Sequence, residues 1–392
     1  MFSANTMIGV VGGGQLARML VQAARTRSIP VAVQTKWEND PAVDGAERVV
    51  VADPRDVAGT LKLMEGCDGI TFENEWVSID ALIPLERQGA CFYPALEAFA
   101  PLVDKLSQRQ LLEDLAIPSP LWCPLSQISQ AQPGLPQGWD FPVMAKAARG
   151  GYDGKGTAVI NNVDALAQLL RSVEISGWFL EAWVHFEREL ALVVSRDANG
   201  RLRSFPLVET YQNSRVCDWV LVPACVEQAV EALAYNMAAS LLTKLNYVGV
   251  LALEFFYGPS GLQVNEIAPR THNSGHFSIE ACTSSQFDQQ VCIAAGLPTP
   301  IPEMRSEGAL MVNLLGLDPA QATPLAQRLT ELRQLPKAHL HWYGKSPESP
   351  GRKLGHVTVL LNAKDAIGRQ REARYVLRVV RQIWPGLSVH QD

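Results

Sequence analysis

The sequence predicts a mixed fold, a parallel α/β unit followed by antiparallel α+β structure, and three observations carry that expectation. Over the first hundred residues short apolar runs alternate with helical periodicity, the pattern of a parallel sheet covered on both faces. From residue 141 onward the strands come as hairpins, with glycine-bearing turns at Asn199-Gly200 and 258–262. At 392 residues the chain exceeds one ordinary core and implies two or three domains.

Each element follows in order. MIGVVGGG (7–14) reads as a buried strand entering a glycine turn, and Leu16, Met19, Leu20 and Ala23 then recur at helical spacing. PVAVQT (30–35), ERVVVAD (47–53) and DGITFENE (68–75) are further strands, and Pro94 and Pro101 punctuate the end of this unit. A helix over 101–115 precedes a loop rich in Pro and Gln. FPVMAKAA (141–148) and TAVINN (157–162) read as paired strands, which makes RGGYDGKGT (149–157) a hairpin tip. WFLEAWV (178–184), a hairpin within 189–208, a helix over 226–244 and a hairpin over 247–268 come next. A strand at 309–315 and a helix at 364–383 close the chain.

Composition narrows the function. Hydrophobic residues at 47% and charged residues at 19% describe a globular chain rather than a disordered one. A net charge of −6 gives no general attraction to nucleic acid or anionic membrane, and leaves small anionic substrates open. Seven cysteines, an odd number without a CxxC pair, argue against a zinc site or disulfide framework and suit buried thiols in a reducing compartment. No apolar run approaches the roughly 18 residues of a membrane span, and the start lacks a secretory pattern. A soluble cytoplasmic protein is expected.

Two glycine loops are candidate phosphate sites. Gly12, Gly14 and Ala17 match GxGxxA between a strand and a helix, but Gln34 stands where an acid should take the ribose hydroxyls. A dinucleotide, another phosphate and a purely structural turn all remain open there. The loop at 149–157 lacks P-loop spacing; as a hairpin tip it can lie over a nucleotide, with Lys146 aimed at the same phosphates. A mobile hairpin with solvated charges is the plainer alternative.

The 247–268 hairpin weighs against that alternative. Glu254 lies in the apolar run LALEFF, and Glu266 in VNEIAP on the facing strand. A five-residue loop at 258–262 would pair 257 with 263, and therefore 254 with 266. Two facing carboxylates are unfavourable without compensation, which a magnesium ion bound with nucleotide phosphates supplies. Arg270, His272, Asn273 and His276 follow within seven residues and suit an oxygen that develops negative charge.

The order of these parts resembles the ATP-grasp superfamily. More narrowly, VVGGGQLARML, GGYDGKG, NEIAPRTHNSGH, HLHWYGK and PGRKLGH resemble the 5-(carboxyamino)imidazole ribonucleotide synthase family over residues 10 to 356. The resemblance implies an ATP-grasp fold preceded by a Rossmann-like parallel domain and followed by a small β-rich C-terminal domain. The boundaries would be 1–103, 104–297 with a lid at about 116–185, and 298–392. It further implies that bicarbonate and ATP give carboxyphosphate, whose carboxyl group passes to the exocyclic amine of aminoimidazole ribonucleotide. ATP and magnesium, with manganese as a substitute, would be the cofactors, and a homodimer the assembly.

Site residues carry over by position. Lys105 and Lys146 resemble the phosphate lysines, and Gly151, Tyr152, Asp153, Gly154, Lys155, Gly156 and Thr157 the lid. Glu181, Ala182, Trp183, Val184 and Glu189 match the segment holding adenine and ribose; Gln212 also falls on the nucleotide site. Glu254 and Glu266 match the magnesium ligands, with Asn265 beside them. Tyr152 and Asp153 resemble contacts to the imidazole ribonucleotide. Gln15, Glu73, Lys345, Arg352 and Lys353 would hold its ribose and phosphate. Arg270, His272 and Asn273 would form the bicarbonate pocket, catalytic together with Lys353. The chain departs from the family pattern at Ala147-Ala148-Arg149, where more positive charge is usual, and at Gln212. The rival functions are a sister ligase activating formate or another carboxylate, a dinucleotide-dependent oxidoreductase, and a non-catalytic ATP-binding module.

Overall fold

The computed structural model describes residues 6–151, 156–317 and 324–386. Its N-terminal part is a five-stranded parallel sheet. The spatial order is Arg48–Val51, Val31–Thr35, Ile8–Val11, Gly69–Phe72, Phe92–Tyr93. Helices Gln15–Arg25, Val57–Met64 and Ile79–Arg87 connect the strands. Strands Ile8–Val11, Val31–Thr35 and Gly69–Phe72 are buried along their whole length, as expected of a sheet covered on both sides. Chain order reverses between Ile8–Val11 and Gly69–Phe72. A sheet of this order is expected to form its crevice at their carboxyl ends, where the loops at 12–14 and 73–76 meet.

The anticipated helix at 101–115 is shorter. A 3-10 turn spans Ala100–Leu102, and the helix proper is Lys105–Asp114, started by Asp104, whose side chain accepts from the amides of Leu106 and Ser107. Four antiparallel strands follow, ordered Trp122–Pro124, Trp178–Ala182, Val143–Ala147, Thr157–Ile160. Lys146 pairs with Thr157, so the glycine segment is a hairpin tip as expected; Tyr152, Asp153, Gly154 and Lys155 lie outside the described residues.

The remaining strands form one nine-stranded antiparallel sheet. It runs Gly261–Ala268, Gly249–Gly258, Arg188–Arg196, Val208–Asn213, Val216–Val222, Gly308–Leu315, Lys353–Leu361, Ala338–Trp342, with Leu202–Ser204 beside Arg188–Arg196. The C-terminal strands thus extend the preceding sheet across the Val216–Val222 to Gly308–Leu315 pairing. Helices Gln228–Lys244 and Ala366–Ile383 stand where periodicity places them. All seven cysteines are free; Cys91 is exposed, in contrast to the expected burial. No helix among the described residues is long and apolar enough to cross a membrane.

Candidate active site

The facing glutamates are where they were expected, by a different register. Tyr257 pairs with Leu262, and Gly258 with Gly261, so the connection is the two residues Pro259-Ser260 rather than five. Left uninterrupted, that register would set Glu254 opposite Asn265 and send Glu266 to the other face. A bulge between Glu254 and Phe255 leaves Asn265 as the extra residue and restores Glu254 opposite Glu266. The displaced Asn265 is itself used: its carbonyl accepts from Arg109 Nη2 at 2.5 Å, and its side chain from Lys146 Nζ at 3.0 Å.

Charge at the pair is unbalanced. Lys105 reaches Glu266 at 3.1 Å, and His272 Nε2 lies 3.3 Å from Glu254. Burial, with Glu266 and Glu189 nearby, pushes Glu254 up to about 7, against the opposing charges of Lys353 and Lys105. Burial and the positive charges of Arg270 and Lys353 drive His272 well below the ordinary histidine range, so the ring is neutral. Its Nδ1 accepts from the amide of Ser274, which leaves the proton on Nε2, facing Glu254. Glu189 is also raised to about 7 by burial, opposed by the backbone amide of Gln212.

A buried triad supports one side. Glu181 takes Arg109 Nε at 2.6 Å and Lys146 Nζ at 2.6 Å. Burial alone would raise the Glu181 carboxyl, but the two cations outweigh it and hold it below the carboxylate range. Burial and repulsion from Arg109 lower Lys146, opposed by Glu181. Beyond Glu181 the strand Trp178–Ala182 ends, and Trp183, half-buried Val184 and Phe186, stacked on Phe256, follow it.

Arg270 bridges to the N-terminal sheet. Its Nε donates to Glu75 at 2.6 Å, and its Nη2 at 3.4 Å. Despite burial, this pairing holds Glu75 below and Arg270 above their ordinary ranges. A small cleft lined by Glu75, Trp76, Lys105, Arg149, Gly151 and Glu266 separates that sheet from the glycine hairpin. Arg149, the one charge retained beside Ala147-Ala148, turns to Asp104 at 2.9 Å.

The first glycine loop has no room for a pyrophosphate. The Glu73 carboxylate accepts from the amides of Gly14 at 2.6 Å and Leu16 at 3.2 Å, filling the helix N-terminus itself. A Cβ on Gly14 would stand 2.4 Å from that carboxylate, which explains the glycine. Gln34 is buried and bonded to Thr60 and to the carbonyls of Asp53 and Asp56. The dinucleotide reading therefore loses both its phosphate and its ribose contacts. Burial raises Glu73, opposed by those amides and by Lys345, and Gln15 adjoins it at the helix start.

Other expected residues divide. Lys353 is close enough for its charge to act on both Glu254 and His272. Arg352 donates to the carbonyl of Pro347. The Asn273 amide is engaged with Asn313, and His276 is enclosed against His356 and Gln286, away from the glutamates. Arg109, Glu75, Gln286 and Asn313 were not anticipated. A signal existed for the first: Lys105, Gln108 and Arg109 share one helix face at i, i+3 and i+4, and all bond to Gly261–Ala268.

Three family models match successive parts of the chain. The model of the ribonucleotide synthetase preATP-grasp domain matches residues 5–101, the ATP-grasp domain 110–287, and the phosphoribosylaminoimidazole carboxylase C-terminal domain 309–370. The chain is 44% identical over 378 residues to the N5-carboxyaminoimidazole ribonucleotide synthase of Synechococcus elongatus, covering 96% of this chain and 95% of that one. The Staphylococcus aureus N5-carboxyaminoimidazole synthetase complexed with ADP superposes with a TM-score of 0.84 at 32% identity, over 95% and 97% of the two chains. The Aspergillus clavatus N5-carboxyaminoimidazole synthase, in complex with ADP and 5-aminoimidazole ribonucleotide, gives 0.84 at 29% identity, over 96% and 99%.

Proposed function

Because the chain belongs to the N5-carboxyaminoimidazole ribonucleotide synthase family, we propose that it is the ATP-dependent ligase that carboxylates the exocyclic amine of 5-aminoimidazole ribonucleotide in purine biosynthesis. In this reaction a bicarbonate oxygen attacks the terminal phosphorus of ATP and ADP leaves. The amine then attacks the carboxyl carbon of carboxyphosphate, phosphate leaves, and the amine proton departs with it. The observation that carries the proposal is the facing pair Glu254 and Glu266, with Lys105 on one and His272 on the other.

The pair fits a magnesium ion, or manganese: hard carboxylate oxygens on one face, with Glu254 raised to about 7 by burial and by the neighbouring carboxylates of Glu266 and Glu189. When bound with a nucleotide, such an ion supplies charge neutralisation at the phosphates. The chain's own residues do the positioning. Lys105 and Lys146 would hold phosphate oxygens, Glu189 the ribose hydroxyls beside Gln212, and Ala182, Trp183 and Val184 the adenine. Gly151 to Thr157 would close as a lid and exclude water from a labile intermediate, with Tyr152 and Asp153 facing the acceptor. Arg270 and His272 would receive bicarbonate, Arg270 oriented by Glu75. Gln15, Lys345, Arg352 and Lys353 would take the ribonucleotide at the crevice, where Glu73 orders the turn. Domain limits at 103 and 297, a homodimer and a cytoplasmic setting belong to the same proposal.

ADP release by the purified protein, with bicarbonate and aminoimidazole ribonucleotide each omitted in turn, tests it. Full release is expected only with both present. Release supported by formate in place of bicarbonate would contradict the proposal and favour the sister ligase.

A further inference from the structure

Asn313 lies inside Gly308–Leu315 (GALMVNLL), a strand buried from end to end and otherwise apolar. An amide in such surroundings is unfavourable unless bonded, and this one is bonded on both sides. Its Nδ2 donates to Asn273 Oδ1 at 2.7 Å and to the Cys217 carbonyl at 2.8 Å, and its Oδ1 accepts from Asn273 Nδ2 at 3.0 Å. The partner, Asn273, opens the 3-10 turn Asn273–Gly275 and directly follows His272. From the other side Gln286 clamps the His272 backbone: it accepts from the amide at 2.8 Å and donates to the carbonyl at 2.6 Å. The turn that aims His272 at Glu254 is therefore held between a helix and a C-terminal strand.

We propose that Asn313 is a positioning residue for the carboxylation chemistry: through its amide pair with Asn273 it fixes where His272 stands against Glu254 and where Arg270 precedes it. The inference rests on the function proposed above. If the amide pair served only the core, an apolar side chain of similar volume would alter stability alone. If it sets geometry, small displacements of the turn reach the reacting groups, where misplacement by about 1 Å can cost roughly 100-fold.

The test compares Asn313→Leu and Asn313→Ser with wild type, the serine leaving room for a bridging water. Expected is a fall of roughly 10- to 100-fold in kcat/KM for bicarbonate, larger for leucine than for serine, with the MgADP dissociation constant within about twofold of wild type. In metal-free protein, the 15N signals of the Nε2–H tautomer of His272 should be present in wild type and lost in Asn313→Leu. Should the leucine variant not fold, the serine variant decides. A folded variant with wild-type kcat/KM for bicarbonate overturns the proposal, as does an equal loss of MgADP affinity, which would mean general loosening. Wild-type protein without turnover dependent on bicarbonate and the ribonucleotide would remove the functional reading itself, and this inference with it.

Discussion

Glu254 concentrates the chemistry of the site in one titration. Its carboxyl stands at about 7 in the fold, against an ordinary value of 4.5. Between those values the unfolded chain gives up a proton that the fold retains, so metal-free protein loses stability as pH rises through that window. With a chelator present, the unfolding midpoint of wild type should fall relative to that of Glu254→Gln between about pH 5 and 7; parallel curves would contradict the burial argument. The same proton competes with a cation, so MgADP affinity should weaken as pH falls through about 7, by up to tenfold per pH unit. Its neighbour gives a plainer test. Glu266→Gln should abolish ADP formation while circular dichroism still reports cooperative unfolding, and retained magnesium-dependent turnover would remove Glu266 from the ligand set.

At the scale of elements, the helix Lys105–Asp114 and the hairpin Gly249–Ala268 form one device. Arg109 links them, bonding the Val264 and Asn265 carbonyls as well as Glu181. Arg109→Met would strand a buried carboxylate on a single remaining cation, at a cost of roughly 3–5 kcal/mol in urea unfolding; a change below about 1 kcal/mol would show the triad to be slack. What was legible here, and what was not, follows from locality. Apolar runs around Glu254 and Glu266 announced the hairpin, whereas their shared face was expected from a five-residue loop and is in fact produced by a two-residue turn and a bulge. The bulge at Asn265 was illegible, because it is maintained by Arg109 and Lys146 from other elements. The hairpin Val208–Asn213 to Val216–Val222 escaped notice for another reason. Its turn residues Ser214 and Arg215 adopt φ of 51° and 65° without glycine, so the usual turn signal is missing. Asn313 and Gln286 likewise look like isolated polar residues until the fold supplies their partners.

Across the whole molecule, three layers are joined by buried polar side chains rather than by apolar contact alone. From the helix Gln286–Ala294, Gln290 ties the Val250 amide to Thr71 and the Tyr93 carbonyl, connecting the parallel and antiparallel sheets. Arg270 and Glu75 make a second bridge beside the crevice. The parallel unit was legible from its strand pattern and glycine turn, whereas the fusion of the C-terminal strands into one nine-stranded sheet was not, since long-range pairing leaves no local mark. Arg270→Ala should reduce carboxylation far more than MgADP affinity, by at least tenfold more if the bridge orients bicarbonate; equal losses would assign it to the fold. In the proposed reaction bicarbonate, rather than water, attacks the phosphorus. Turnover begun by rapid mixing with 18O-bicarbonate, and quenched before exchange with water, measures this directly. One 18O atom in each released phosphate is the predicted result; carboxylated product accompanied by unlabelled phosphate would contradict it.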